Sequence, residues 1–117
     1  MWLFILYGGD YLKKYETVKE HKEFDDIIAN GRYKKNKYFI IYNKESNFNY
    51  PRFGIAVGKK VGIAVIRNKL KRQLREIITN NKNLFKNKKD YIIIVKRSSL
   101  DLTFQQMNNS LVELIGE

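Results

Sequence analysis

Tyr91-Ile92-Ile93-Ile94-Val95 is an unbroken apolar run, and it limits the possible folds more than any other segment. Alternate residues of a strand point to opposite faces. A strand that is apolar at every position therefore needs cover on both sides and belongs at the centre of its sheet. The remaining segments supply that cover. Residues Lys19 to Asn30 read as a first helix, with Phe24, Ile27 and Ile28 on one face and Asn30-Gly31 as its stop. Lys37 to Asn43 and Arg52 to Val57 read as strands, separated by a polar loop from Lys44 to Tyr50 and the breaker Pro51. A second helix spans Ile63 to Ile78 and fades at Thr79-Asn80-Asn81; a lysine- and asparagine-rich linker, Asn80 to Asp90, follows. After a turn at Ser98 to Asp101, Leu102 to Ile115 reads as a last helix with Phe104, Met107, Leu111, Leu114 and Ile115 near one face. The order is helix, strands, helix, strand, helix. At 117 residues this makes a single-domain α+β sandwich with helices packed on one sheet.

The second helix carries the strongest functional signal. At 100° per residue, Ile63, Ile66, Leu70, Leu74 and Ile77 fall within an arc of about 80°, and Arg67, Asn68, Lys71, Arg72 and Arg75 within another of about 140°. A helix with an ordinary solvated face alternates lysine with glutamate. Here no acidic residue stands between Glu45 and Glu76, while Arg52, Lys59, Lys60, Arg67, Lys69, Lys71, Arg72 and Arg75 all do. Asn68 sits in the middle of the cationic arc, where its amide can reach bases or riboses. Lys59 and Lys60 add charge at the helix entrance, where exposed amide donors already favour anions. With a formal net charge of +11, the pattern points to nucleic acid as partner, through phosphate contacts that give affinity and orientation.

A second candidate surface is aromatic. In the strand from Lys37, residues Tyr38, Ile40 and Tyr42 share one face, with Phe39 and Ile41 opposite. One set packs under helices. The other could form a platform for unpaired bases, with Tyr42 its exposed member. Phe24 and Phe39 also read simply as core.

Catalytic constellations are missing from the sequence. There is no cysteine and a single histidine, His21, so thiolate chemistry is excluded and a metal site or triad would rest on one residue. Asp25-Asp26 and the pair Glu20 and Glu23 are explained by a helix surface. Gly54, Gly58 and Gly62 do not form a phosphate-binding loop. No small-molecule substrate or protein-held metal is expected. The opening run Met1 to Tyr7 is far short of the roughly 20 apolar residues that span a bilayer. It lacks the flanks of a secretory signal. Residues 1–12 therefore read as an N-terminal extension ahead of a domain over 13–117, in a protein expected to be cytoplasmic and free of membrane.

The stretch Arg52-Phe-Gly-Ile-Ala-Val-Gly-Lys-Lys-Val-Gly-Ile-Ala-Val-Ile-Arg-Asn-Lys-Leu-Lys-Arg-Gln-Leu-Arg-Glu76 resembles the signature of the bacterial ribonuclease P protein subunit. That family has a strand, a Ser-Lys-Lys turn, a Gly-Asn-Ala-Val lead-in and an Arg-Asn-Arg helix continuing x-Lys-Arg-x-x-Arg. Lys22 to Gly31 looks like the family's first helix, Asn36 to Tyr42 its first strand, and Asp90 to Val95 the strand after the basic helix, so the likeness covers roughly residues 15 to 115. It implies an α/β sandwich similar to ribosomal protein S5 domain 2, with a left-handed βαβ crossover through the basic helix. It also implies an accessory role: the RNA subunit of ribonuclease P, with Mg²⁺ bound mainly by that RNA, removes the 5′ leader of precursor tRNA. By the same resemblance Lys60, Arg67, Asn68, Lys69, Lys71, Arg72 and Arg75 face the catalytic RNA, and Phe24, Ile28 and Tyr42 belong to the leader cleft. Four positions depart from the pattern: Gly58 replaces serine, Ile63 asparagine, Lys69 the second arginine and Ile28 a common phenylalanine. Lysine keeps the charge but loses the guanidinium fork. The charge pattern alone also suits a non-catalytic structural RNA-binding protein of ribosomal type. A protein-only nuclease is disfavoured for want of a carboxylate or histidine cluster.

Overall fold

The computed structural model describes residue 18 and residues 21–116; the Met1–Tyr7 run, the extension over 1–12 and Glu20 lie outside the described residues. The elements are α1 (His21–Asn30), β1 (Arg32–Lys35), β2 (Phe39–Glu45), β3 (Arg52–Val57), α2 (Ala64–Asn80), β4 (Lys89–Val95) and α3 (Phe104–Gly116). They form one four-stranded sheet in the order β1-β2-β4-β3. β4 runs antiparallel to β2 and parallel to β3, to which α2 connects it. The apolar run from Tyr91 thus has a neighbour on each side, as its composition requires.

Its two faces feed two cores. Tyr91, Ile93 and Val95 join Phe53, Ile55, Val57, Phe39 and Ile41 under the apolar sides of α2 and α3. Ile92 joins Ala56 and Val18 beneath Phe24 and Ile27 of α1, with Ile28, Tyr42 and Ile94 packed at the margin. Helices therefore cover both faces of the sheet. The backbone N–H of Val18 donates to the Phe53 carbonyl at 2.9 Å, on the edge strand β3.

Two glycines allow α1 its close approach. A Cβ on Gly54 would stand 2.6 Å from two atoms of the Phe24 ring, and one on Gly31 would stand 2.4 Å and 2.6 Å from the carbonyls of Ile27 and Asn43. Both neighbours at Gly31 are backbone, so no rotamer change relieves that clash.

The structure departs from the sequence reading at several places. β1 was not foreseen: Arg32-Tyr33-Lys34-Lys35 has no apolar alternation, and it is a strand because it pairs with β2, not because it buries a face. The next strand starts at Phe39, not Lys37, because Asn36 first turns the chain: its Oδ1 accepts from the N–H groups of Tyr38 and Phe39, both at 2.8 Å. Tyr38 accordingly leaves the alternation and packs against the α2–α3 core, away from Tyr42. The linker after α2 is partly structured, because buried Phe85 wedges its ring edge-on against Phe53 and Tyr91, at 4.8 Å and 5.0 Å. α3 begins at Phe104 because Thr103 and Gln106 form a reciprocal cap: Gln106 N–H to Thr103 Oγ1 at 3.2 Å and Thr103 N–H to Gln106 Oε1 at 2.9 Å.

Arg52 is structural. Its guanidinium donates to both carboxylate oxygens of Asp90, at 2.8 Å and 2.6 Å, and to Glu23 at 2.7 Å, joining β3, β4 and α1. Its other contact is the face of Phe48, at 4.4 Å. The hydrogen bonds it donates to Asp90 and then Glu23 favour the charged guanidinium and raise its pKa further, against desolvation. Arg52→Ala would leave Asp90, only 6 % exposed, without its counter-charge. The variant is expected to lose about 3–5 kcal/mol, read as a lower urea midpoint with an unchanged slope.

Candidate nucleic-acid interface

α2 divides its length between packing and projection. From Leu70 onward its apolar stripe is seated: Leu70, Leu74, Ile77 and Ile78 are buried in the core beside β3. The first turn is not. Ile63 is 69 % exposed and Ile66 37 % exposed, a correction to the expectation that both belong to the buried stripe. Ile63 sits at the N-cap, where the chain enters the helix in extended conformation and no side chain caps the free amides. Ile66 folds over Gly62, where a Cβ would lie 3.0 Å from its Cγ2, and takes no part in either core. No acidic residue lies in this first turn.

The cations surround that projecting end. Lys59 and Lys60 are exposed in the turn, and Asn68, Lys69 and Arg72 are exposed on the helix. Arg67, Lys71 and Arg75 form a row one turn apart along its flank. Arg67 Nε donates to the Gly62 carbonyl at 3.1 Å, and Arg75 Nε to that of Lys71 at 3.4 Å. Both bonds hold the arginine stems along the helix. Lys71 is only 8 % exposed, whereas the wheel placed it on the open face. Its position there, 60° from Leu74, puts its stem at the margin of the packed stripe. Desolvation, and then repulsion from Arg67 and Arg75, hold its ammonium below the usual lysine range. Gly58 has open space around it, so a serine would fit there.

On the other face of the sheet the structure brings Phe24, Ile28 and Tyr42 into one cluster. Their accessibility differs. Phe24 is 1 % exposed and forms the floor, whereas Ile28 and Tyr42 are half-buried at the margin. One neighbour was missed by the sequence reading: Tyr33 of β1 lies directly across from Tyr42 in register, with ring centroids 5.6 Å apart. The available signal was Asn36 as a turn former midway between two short segments; without apolar alternation in Arg32–Lys35 it did not suffice. Two of the three acids of α1 are engaged structurally. Asp26 binds Lys44 and accepts from Asn30 Nδ2 at 2.7 Å, with its pKa lowered first by Lys44 and then by Asn30; Glu23 holds Arg52.

Residues 12–117 match the Ribonuclease P family model. The chain is 43% identical to the ribonuclease P protein component of Mycoplasma mycoides over 107 residues, covering 91% of this chain and 98% of that one. It is 33% identical over 105 residues to the corresponding protein of Bacillus cereus, covering 88% and 90% of the two. The solved RNase P protein of Staphylococcus aureus superposes with a TM-score of 0.81 at 33% identity, over 86% of this chain and 93% of that one. That of Thermotoga maritima gives 0.79 at 30% identity, over 86% and 94%.

Two outcomes test the reading of α2. Ile63→Asn supplies the missing N-cap and is expected to stabilise the protein by about 1 kcal/mol, seen as a rise of a few degrees in Tm. Lys71→Met removes a desolvated and repelled charge. A lowered folded-state pKa penalises folding wherever lysine is charged in both states, so the gain should be full near neutral pH. It should fade as pH climbs through the folded pKa and vanish above the ordinary lysine value of about 10.5. Thermal melts of both proteins from pH 7 upward check this.

Proposed function

This chain belongs to the ribonuclease P protein family and is the protein subunit of that ribonucleoprotein, with ribonuclease P RNA as its partner; we propose that it serves the holoenzyme through two surfaces on opposite sides of its sheet. The α2 flank, with Lys59, Lys60, Arg67, Asn68, Lys69, Lys71, Arg72 and Arg75, docks on the catalytic RNA. The margin of the α1 core, with Ile28 and Tyr42 above Phe24, receives the single-stranded 5′ leader of precursor tRNA. The holoenzyme acts in the cytoplasm as an endoribonuclease that frees the mature 5′ end, and bond cleavage belongs to the RNA subunit with its Mg²⁺.

The observation that carries this reading is the separation of chemistries. Cations line the outside of one layer, and aromatic and aliphatic edges line the margin of the other. Phosphate contacts along α2 give affinity without reading sequence, and each engaged cation releases counterions. They also lower the repulsion between two polyanions, catalytic RNA and substrate. An unpaired leader presents base faces that a tyrosine can stack upon. Duplex tRNA hides those faces, so the second surface prefers precursor over product. Of the α1 carboxylates, Asp26 and Glu23 are held by Lys44 and Arg52, which leaves them to pin α1 rather than to act on a phosphodiester.

The deciding assay measures precursor-tRNA cleavage at low Mg²⁺ with this chain alone, with ribonuclease P RNA alone, and with both. Stimulation of the RNA and no cleavage by the chain are expected. Cleavage by the chain alone would place catalysis in the protein. A chain that binds the RNA without stimulating it would be a structural RNA-binding protein instead. Within the stimulated reaction, Arg67→Ala should weaken affinity for the RNA about tenfold and reduce the salt dependence by about one counterion. Tyr42→Ala should leave that affinity unchanged and lower the precursor-over-mature preference by about fivefold or more.

A further inference from the structure

β1 is a short edge strand, and three of its four residues are cations. Charged, short edge strands are commonly explained as protection against edge-to-edge pairing, and that accounts for Arg32, Lys34 and Lys35. It does not account for Tyr33. This ring is 57 % exposed, on a strand whose other side chains are all cationic. Its register partner is Tyr42, and directly opposed residues of a sheet point to the same face. Tyr33 therefore stands on the α1 side, beside the cluster of Phe24, Ile27, Ile28, Tyr42 and Ile94.

The geometry of the two rings is that of a platform. Their centroids are 5.6 Å apart and their planes are tilted by 43°. A fully packed pair would close over both faces, but here Tyr33 keeps more than half its surface open while Tyr42 is held by the core margin. Ile28 presents no π-face, and Phe24 is closed beneath Gly54, so neither can stack a base on this side of the sheet. Lys35, two residues along the same strand and exposed, shares the Tyr33 face. An aromatic ring followed by a cation at that spacing suits a nucleotide, whose base and phosphate lie on either side of its sugar.

We propose that Tyr33 is a second base-stacking residue of this surface, extending the single-stranded RNA track from Tyr42 across β1 so that one further unpaired base is held, with Lys35 beside its phosphate. The inference rests on the reading of the α1 margin as the leader surface. It adds to that reading a residue at the sheet edge and a longer footprint.

The test uses reconstituted holoenzyme, this chain with ribonuclease P RNA, and compares affinities for mature tRNA and for precursors whose leaders are lengthened one nucleotide at a time. Wild type should gain affinity in two steps as the leader reaches Tyr42 and then Tyr33. Tyr33→Ala should abolish the second step alone, a loss of about fivefold to tenfold, and Tyr33→Phe should retain it. A single abasic nucleotide at the leader position of the second step should reproduce the loss in wild type and add nothing to Tyr33→Ala. Mature-tRNA affinity unchanged in every variant shows that the sheet is intact. If Tyr33→Ala keeps both steps while Tyr42→Ala loses the first, the second stacking residue is overturned and the leader surface stands. If wild type shows no leader dependence at all, both readings fall together.

Discussion

The two-sided burial of β4 is the constraint from which the rest of the molecule follows. Because Ile92 faces one core and Tyr91, Ile93 and Val95 the other, helices must cover both faces of the sheet. The cover is unequal. α2 and α3 close one face with the larger core, and α1, only ten residues long, closes part of the other. The shorter cover leaves Ile28, Tyr42 and Ile94 half-buried at its margin. An accessible aromatic edge is thus a consequence of how much helix is available on that side. The parallel β3–β4 pair requires a crossover connection, and α2 is that connection, which puts the basic helix in the opposite layer from the aromatic edge.

Charge is distributed on the same plan. Two acids of α1 and the acid of β4 meet cations at short range: Asp26 with Lys44, and Glu23 and Asp90 with Arg52. These pairs join α1 to the sheet and β3 to β4, with Arg52 shared between two carboxylates. The first turn of α2 has no acidic residue, and Lys71 is the measure of the result. Its ammonium is destabilised by desolvation and by Arg67 and Arg75, a cost that a bound polyanion would offset. In the same chain, then, charge is paired where it fastens the fold and concentrated on the helix proposed to meet the RNA.

What could be read in the sequence follows which signals are local. The bounds of β3, the central place of β4 and the core stripe of α2 from Leu70 were legible because apolar periodicity records burial directly. Resemblance supplied the family, since its motif spans a strand, a turn and a helix in fixed order. β1 was not legible, because a polar edge strand exists by virtue of its neighbour and its own sequence carries no trace of that. Tyr33 was lost with it. The burial of Lys71 was misread because a long stem beside the stripe packs even when its charge belongs to the other arc. The exposure of Ile63 and Ile66 was misread because a helical wheel gives direction around the axis and nothing about where along it the partner surface ends.

That last point separates the two ends of α2 in stability. α3 starts on a reciprocal Thr103–Gln106 cap, whereas α2 starts on Ile63 with no side-chain cap and an apolar turn in solvent. Uncapped amides and exposed isoleucine both cost stability in the free chain, and local opening draws on such sites first. The same amides have Lys59 and Lys60 just ahead of them and Arg67 just behind. The asparagine that the family usually has at position 63 would satisfy one of those amides internally. With isoleucine there, no side chain satisfies those amides, so the uncapped end of α2 keeps donors of the kind that favour anions at helix N-termini.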